Sequence, residues 1–560
     1  MSELLQRVVL RVLAGLGMPL IVGWLAYVVL SYLMAWPSTL AVLAGAGLAW
    51  LGIAGMLRGA WLHADAAAVA QSAKAFGFSS AAMLAAMAVS QRLLLLLGFI
   101  PGDALIGSAL VGLVALILSS GTAAEWRSLR VLRGRTLTSP ARAKALLASK
   151  VRRARAANPE AICPIWVGVE LPPEAASSHF LVAGATGTGK STTIRLLMQS
   201  VLPSVGSGHG LRAVVYDDKR DFLPFLRQLV GEDKVVSLNP FDAKGAAWHV
   251  AADVRDEATA MQVALALIPD DKRESSPYFP EAARSLMAAV MTVFATIAPE
   301  KWELRDVMIA LSSPRDLELV LNQTAAARKV KEQVLESHSA SDVVSTIRTK
   351  IAYLCLVAAC WHHAERMVSL QDWVEGEGIL LLSNDERVRQ AVQAANRAIL
   401  DRLVELLLVQ PEPVRGRTWV FLDEMREAGK YDNINSLLLR GRSYKVTVVL
   451  GFQAIEGLKA LYEDNVTEEL VGQCGIRALQ ALDSYPSREW ASRVIDEAEV
   501  MEARRSYGRD TTYSEQPTNR RAVMAAEFGQ MKRLEQHGVL DAWVLTPFCA
   551  PFRQQLDGAE

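Results

Sequence analysis

Hydrophobic and polar positions divide the chain into an almost uncharged N-terminal part and a longer part in which short apolar runs end at polar residues. From Val12 to Trp36 only apolar, aromatic, glycine, serine and proline residues occur, and Thr39 to Leu57 repeats the pattern. Each run is long enough to cross a hydrocarbon layer of about 30 Å as a helix. Basic residues at Arg7, Arg11 and Arg58 flank the pair, so the positive-inside bias predicts a hairpin with both ends in the cytoplasm.

A second apolar region, from Ser79 to Ser120, is interrupted by Gln91-Arg92 and by Pro101-Gly102-Asp103. Its simplest division is one helix from about Ser80 to Ile100 and another from about Ala104 to Ser120. Four spans keep the rest of the chain in the cytoplasm. Three spans remain an alternative, which requires the N-terminus to lie outside.

The most specific local pattern is an apolar strand that runs into a glycine-rich loop and then a helix, at residues 179–193. The spacing Gly184-x4-Gly189-Lys190-Ser191 is that of a phosphate-binding loop, in which backbone N–H groups wrap the β-phosphate. We expect Lys190 to reach the β- and γ-phosphates and Ser191 to ligate Mg²⁺, which makes ATP and Mg²⁺ the expected cofactors. The nucleotide-binding residues predicted in this way are Gly184, Ala185, Thr186, Gly187, Thr188, Gly189, Lys190, Ser191 and Thr192.

A partner motif lies far downstream, where the apolar run from Arg417 to Leu422 ends at Asp423 and Glu424. We expect Asp423 to hold Mg²⁺ through water and Glu424 to polarise the water that attacks the γ-phosphate. The alternative for an isolated Asp-Glu pair is a solvated strand end, and the apolar run before it argues against that alternative.

Another strand, Val446 to Leu450, leads to Gln453, a polar residue placed to sense the γ-phosphate. Arg442 precedes this strand and is a candidate arginine finger that acts on the nucleotide of a neighbouring subunit. A surface salt bridge is an equally good interpretation of Arg442. The predicted catalytic residues are therefore Lys190, Glu424, Gln453 and Arg442.

The chain between these motifs is too long for a minimal nucleotide-binding fold, so it must hold inserted structure. Strands are expected at Leu211 to Lys219, with a charged end, and at Gly378 to Ser383, with apolar residues at helical spacing between them. The helical patterns cover Glu257 to Leu267, Glu281 to Ile297, Pro314 to Thr324 and Ala326 to Glu336. The predicted organisation is a transmembrane domain (1–122), a basic juxtamembrane linker (123–165), a nucleotide-binding domain in two parts (166–255 and 354–560) and an inserted all-α domain (256–353).

Composition adds few constraints. The chain has 560 residues, 51% of them hydrophobic, and a formal net charge of zero. Basic residues nevertheless cluster after the last apolar run, with no acid between Glu125 and Glu160. Anchoring to anionic lipid is the simpler function of this stretch, and a basic collar for nucleic acid is compatible with it. The basic residues are Arg127, Arg130, Arg133, Arg135, Arg142, Lys144, Lys150, Arg152, Arg153 and Arg155.

The five cysteines are scattered without a Cys-x2-Cys pair, and Cys360-Trp361-His362-His363 has no second cluster to complete a metal site. Reduced thiols suit a cytoplasmic location.

Taken in order, several motifs resemble the type IV secretion and conjugation coupling proteins, the TraD/TrwB group of FtsK/HerA-type P-loop ATPases. Besides the two nucleotide motifs, the resemblance rests on an Asn-Pro-Phe-Asp turn followed by tryptophan. The matching segments are Gly184–Ser191, Val215–Lys219, Leu238–Lys244 with Trp248, Ser345–Arg348, Trp419–Glu424 and Gly451–Gln453.

The resemblance implies an α/β RecA-like P-loop domain with an inserted all-helical domain, preceded by a transmembrane helical domain. It implies a hexamer at the bacterial inner membrane that recruits relaxase-bound DNA, expected to be single-stranded and bound without sequence preference, and moves it toward the channel subunits of a secretion system. Two alternatives stay open. One is a related membrane DNA pump used in segregation, partition or defence, and the other is a nucleotide-gated assembly whose cargo is protein.

Overall fold

The computed structural model describes residues 130–268, 278–335, 340–410, 416–431, 433–506 and 512–558. The membrane helices predicted before residue 122 lie outside the described residues. Among the described helices, one is long and apolar enough by length and composition to cross a membrane, at Ala340–His362. In the structure, Ile347, Ile351 and Leu354 of that helix are buried in a hydrophobic core shared with the sheet.

A nine-stranded sheet organises the described part of the chain. Its order is β16-β15-β12-β4-β11-β10-β5-β9-β6; neighbours from β12 to β6 pair in parallel, and the edge strands β15 and β16 run antiparallel. The strands of the described chain are β1 (Arg130–Gly134), β2 (Ile165–Trp166), β3 (Val169–Glu170), β4 (Phe180–Ala183), β5 (Leu211–Asp217), β6 (Val235–Ser237), β7 (Ala247–Trp248), β8 (Met367–Val368), β9 (Gly378–Ser383), β10 (Arg417–Leu422), β11 (Val446–Phe452), β12 (Ile476–Leu479), β13 (Glu497–Ser506), β14 (Thr512–Arg521), β15 (Val539–Thr546) and β16 (Cys549–Asp557).

Helices cover both faces of this sheet, which explains why its central strands are almost continuously apolar in sequence. In β4, Leu181 and Ala183 face one core and Phe180 and Val182 face the other. The helices are α1 (Pro140–Ala157), α2 (Lys190–Val201), α3 (Phe222–Val230), α4 (Val250–Asp253), α5 (Glu257–Leu267), α6 (Tyr278–Ile297), α7 (Leu304–Ser312), α8 (Pro314–Leu321), α9 (Ala325–Leu335), α10 (Ala340–His362), α11 (Leu370–Glu375), α12 (Arg389–Leu407), α13 (Met425–Ala428), α14 (Ile434–Arg440), α15 (Ile455–Tyr462), α16 (Asp464–Gly472), α17 (Tyr485–Ile495), α18 (Ala525–Gly529) and α19 (Leu534–His537).

Helices α4 to α10 form an insertion whose entry and exit are held together. Strand β7 enters it, β8 leaves it, and the two pair in parallel. Beside them Asp253, only 1% exposed, accepts hydrogen bonds from Trp248 Nε1 (2.7 Å), Ser369 Oγ (3.2 Å) and two backbone N–H groups. A buried carboxylate that is fully hydrogen-bonded to both chain ends fixes the base of the insertion on the sheet. Trp248, which follows the Asn-Pro-Phe-Asp turn, therefore has a structural role.

Three helices of the insertion, α4, α7 and α10, have no counterpart among the helices expected from sequence. The last one continues to His362, so a boundary at residue 353 falls within it. Arg348, from the Ser345–Arg348 motif, lies on α10 and donates to Ser312 O at 3.1 Å at the end of α7. This motif therefore joins two helices of the insertion.

Most of the basic stretch after residue 130 forms a helix, α1. Helix α1 buries Ala143, Leu147 and Val151, spaced four residues apart, while its arginines face outward. This narrow apolar stripe packs into the same core as α2 and the sheet. A stripe of this kind is easily overlooked among so many charges, because only every fourth residue, from Ala143 to Val151, is buried.

Candidate active site

The glycine-rich loop lies at the carboxyl end of β4, between two parallel neighbours. On one side Gly184 N donates to Phe452 O of β11 at 3.2 Å, and on the other Ala185 N donates to Ala481 O, just beyond β12, at 2.8 Å. Gly189 stands immediately before α2 with φ +97°, a backbone conformation that residues with a side chain rarely adopt. The predicted loop, from Gly184 to Gly189, thus connects strand to helix as the spacing requires, with Ser191 and Thr192 in the first turn of α2.

Lys190 and Glu424 meet in the interior, although they are far apart in the chain. Lys190 Nζ donates to Glu424 Oε2 at 2.5 Å and to the backbone O of Asp423 at 2.8 Å. Lys190 is 9% exposed and Glu424 6%. Sheet order explains the meeting: β10 ends beside β11, β11 lies beside β4, and all three strands end at the same edge. The lysine ammonium and the Glu424 carboxylate thus form a buried ion pair.

The two carboxylate oxygens of Asp423 differ in their contacts with the loop. Its Oδ2 accepts a hydrogen bond from Ser191 Oγ at 2.7 Å, while its Oδ1 is buried without a hydrogen-bond partner and lies 3.8 Å from Lys190 Nζ. An unsatisfied carboxylate oxygen next to a serine hydroxyl is a donor set that suits Mg²⁺. Within the described ranges no group of three or more His, Cys, Asp or Glu side chains forms a metal cage.

Gln453 also reaches the loop. Its Oε1 accepts a hydrogen bond from Thr186 Oγ1 at 3.2 Å, immediately after β11 ends. Both residues are exposed, so a ligand on the loop has access to the amide. The structure thus brings Lys190, Glu424 and Gln453 to one edge of the sheet.

Arg442 lies elsewhere. It is exposed in the turn between α14 and β11, at the amino end of the parallel strands, where its charge acts on His179 just before β4. Seven residues of β11 separate this turn from Gln453, which corresponds to roughly 20 Å of extended strand. Within one chain, Arg442 therefore stands at the edge opposite the phosphate-binding loop.

Sequence reasoning missed Gln480, which follows β12 and contacts the loop from the side opposite Gln453. It also missed α19, which lies over the loop: Glu535 N donates to Gly187 O at 3.1 Å. The signal for β12 is a run of four residues that includes Arg477, too short and too polar to stand out.

Asp217, at the carboxyl end of β5, is a further buried acid at this edge. Burial raises the pKa of its carboxyl from 3.8 to about 6, although N–H groups of Phe222 and Asp221 donate to it at 2.8 and 3.0 Å. The charge of Asp423 adds to the rise. Asp217 and Asp423 thus lie at the same sheet edge, close enough for the charge of one to act on the other.

Comparison with known families identifies this arrangement. Residues 165–549 match the family described as type IV secretion-system coupling protein DNA-binding domain. The chain belongs to the type IV secretion-system coupling proteins. The resemblance inferred from the motifs is thereby confirmed.

Solved structures of another coupling protein share the fold. The bacterial conjugative coupling protein TrwB, in an unbound form lacking its N-terminal 70 residues, is 23% identical, covers 77% of this chain and 94% of its own, and superposes with a TM-score of 0.62. The plasmid coupling protein TrwB in complex with ADP and Mg²⁺ is also 23% identical, covers 76% and 94%, and has a TM-score of 0.60. The complex of TrwB with a non-hydrolysable ATP analogue gives a TM-score of 0.60 with 23% identity, covering 76% and 94%. A comparison with curated proteins found no match.

Proposed function

We propose that this coupling protein is an ATP-driven DNA translocase that works with a conjugative type IV secretion system. The observation that supports it most directly is the meeting of Lys190 and Ser191 with Asp423 and Glu424 within hydrogen-bond distance at one sheet edge. These are the side chains that phosphoryl transfer needs: a cation for the phosphates, ligands for a metal and a base for water.

The nucleotide is proposed to be ATP with Mg²⁺, because the loop, the free Asp423 oxygen and the TrwB complex with ADP and Mg²⁺ agree. Bound Mg²⁺ supplies positive charge to the phosphates, and Ser191 and Asp423 are the residues that hold it. Lys190 exchanges its contact with Glu424 for the phosphates. Glu424 is then free to orient a water molecule and accept its proton.

Gln453 is proposed to report the state of the γ-phosphate to β11 through its contact with Thr186. Arg442 is proposed to serve the nucleotide of a neighbouring subunit in a hexameric ring. Its position at the edge opposite its own loop supports this role, because an arginine there can reach only another chain's phosphates. Guanidinium groups delivered in this way stabilise charge on the transferred phosphoryl group.

The cargo is proposed to be DNA linked to a relaxase, bound through its phosphates without base recognition. The family description names a DNA-binding domain, which supports DNA as the ligand. The apolar N-terminal sequence supports a multi-pass location in the inner membrane with the nucleotide site in the cytoplasm, where anionic lipid meets the basic stretch.

The experiment is ATP hydrolysis by the full-length protein in detergent, with and without single- and double-stranded DNA, at several salt concentrations. Stimulation by DNA that falls steeply with salt is expected, because phosphate contacts release counterions. Lys190→Ala should abolish hydrolysis, whereas Lys459→Ala, a matched change at a surface ion pair with Asp464, should not. A rate of ATP hydrolysis that DNA does not change at any salt concentration would count against translocation and favour a nucleotide-gated switch.

A further inference from the structure

The amide side chain of Gln480 joins three elements around the phosphate-binding loop. Gln480 is fully buried at the carboxyl end of β12, the parallel neighbour of β4. Its Oε1 accepts from Thr188 Oγ1 in the loop at 2.7 Å, and its Nε2 donates to Thr193 Oγ1 in α2 at 2.9 Å. One side chain therefore ties a strand, the loop and the helix together.

The contacts of Thr193 indicate which end of the Gln480 amide faces each threonine. Thr193 Oγ1 donates to Gly189 O at 3.1 Å, so it receives the Gln480 N–H rather than giving its own proton. The Gln480 carbonyl then faces Thr188, whose hydroxyl also lies 2.8 Å from Ala185 O. Both polar ends of a fully buried amide are satisfied, as a buried polar network requires.

The first glycine of the motif has its explanation here. A Cβ on residue 184 would lie 2.5 Å from both Gln480 Oε1 and Thr188 Oγ1, too close for any side chain. Gly184 thus admits the Gln480–Thr188 pair beneath the loop. The backbone adds to this contact, because Gln480 N donates to Ala183 O at 2.8 Å.

We infer that Gln480 is a positioning residue that holds the phosphate-binding loop in its binding shape before the nucleotide arrives. The inference rests on the proposed function, since it assumes that the loop binds a nucleoside diphosphate or triphosphate. Gln480 is buried beneath the loop, so it acts through the loop backbone and not on the phosphates. Without it, part of the binding energy is consumed in ordering the loop.

The test is binding of a fluorescent ADP, mant-ADP, with Mg²⁺ to the full-length protein carrying Gln480→Met. Methionine has nearly the same length and makes neither hydrogen bond. Thr188 and Thr193 keep Ala185 O and Gly189 O as acceptors, so the fold should tolerate the change. The dissociation constant is expected to rise by about 10- to 100-fold. The KM for ATP should rise in step while kcat stays within about threefold, because uniform binding is lost.

The matched control is Gln554→Met. Gln554 is 1% exposed on β16 of the same sheet and donates to a backbone carbonyl at 2.8 Å. This change should leave mant-ADP binding as it is, whatever its effect on the melting temperature. If Gln480 only stabilised the fold, Gln480→Met would lower the melting temperature and leave the affinity for mant-ADP unchanged.

A second variant keeps the inference testable if Gln480→Met does not fold. Thr188→Val removes the hydroxyl that reaches Gln480 while leaving the Gln480–Thr193 bond, and should weaken mant-ADP binding in the same direction. Wild-type affinity in folded Gln480→Met, or in Thr188→Val when the former is unfolded, overturns the inference and leaves the proposed function standing. Failure of the wild-type protein to bind mant-ADP overturns both.

Discussion

Replacing Glu424 by glutamine removes one charge from the buried Lys190–Glu424 pair and keeps its shape. With this change the lysine ammonium loses its ionic partner at 2.5 Å but keeps the backbone O of Asp423 at 2.8 Å. The amide oxygen of the new side chain can still accept a hydrogen bond. The change therefore separates the charge of Glu424 from its geometry.

The expected loss of unfolding free energy is about 1–3 kcal/mol. Removing one partner of a buried ion pair outright costs roughly 3–5 kcal/mol. Here Lys190 can still donate a weaker hydrogen bond to the neutral amide oxygen, and the carboxylate of Asp423 remains 3.8 Å from the ammonium. The loss is expected in the nucleotide-free protein only, because bound phosphates would replace Glu424 as the partner of Lys190.

Catalysis should respond far more strongly than stability. Without a carboxylate to accept the proton of water, hydrolysis should fall by about 10²- to 10⁴-fold. Affinity for ATP should be equal or higher, since Lys190 no longer leaves a carboxylate in order to contact phosphate. The variant should therefore hold ATP without turning it over.

The assay combines single-turnover hydrolysis, ATP binding and thermal melting with and without Mg²⁺-ATP. Glu456→Gln is the matched control, because Glu456 accepts from Ser487 Oγ at 2.5 Å on α15 and has no contact with the loop. It should hydrolyse ATP at the wild-type rate. Near-normal hydrolysis by Glu424→Gln would refute the assignment of the base, and loss of ATP binding would refute the exchange of partners by Lys190.

Three further predictions concern other parts of the molecule. Inactive Arg442→Ala subunits mixed with inactive Lys190→Ala subunits should regain part of the ATPase activity, since a mixed interface can pair an intact loop with an intact arginine. Unchanged turnover of the Arg442→Ala protein alone would exclude Arg442 as an arginine finger. Asp217→Asn should flatten the pH dependence of the melting temperature. The pKa of Asp217, raised to about 6 in the folded protein, adds roughly 3 kcal/mol of stability below pH 3.8, and this contribution is lost as the pH rises through 6. An unchanged pH profile in the variant would contradict this. Asp253→Ala should lower the free energy of unfolding by at least about 3 kcal/mol and expose the insertion to limited proteolysis before the sheet, because buried donors lose their acceptor. Equal protection of the insertion and the sheet would contradict the role of Asp253 in fixing the base of the insertion.

The loop and the ends of β10 and β11 were predictable because each is specified locally. A strand buried on both faces must be a continuous apolar run, and the polar residue after it marks the sheet edge. Parallel strands bring such ends together whatever their separation in sequence. Asp423, Glu424 and Gln453 could therefore be placed near Lys190 from sequence alone.

Gln480 and α1 were not predictable in the same way. The contact of Gln480 depends on β12 pairing with β4, and the short run from Ile476 to Leu479 contains an arginine, which hides the strand. In α1 the apolar stripe is too narrow to stand out among the arginines. The position of Arg442 relative to its own loop likewise depends on which end of β11 it precedes, which only the parallel pairing with β4 fixes.

The most direct test of the central claim is movement along DNA. Full-length protein should displace streptavidin from the end of a biotinylated single strand in the presence of Mg²⁺-ATP, since a motor that advances on phosphates pushes off a bound obstacle. Glu424→Gln should bind the same strand and displace nothing. Displacement by the wild type that requires ATP hydrolysis is the predicted result. DNA-stimulated hydrolysis without any displacement, from either end of the strand, would contradict translocation.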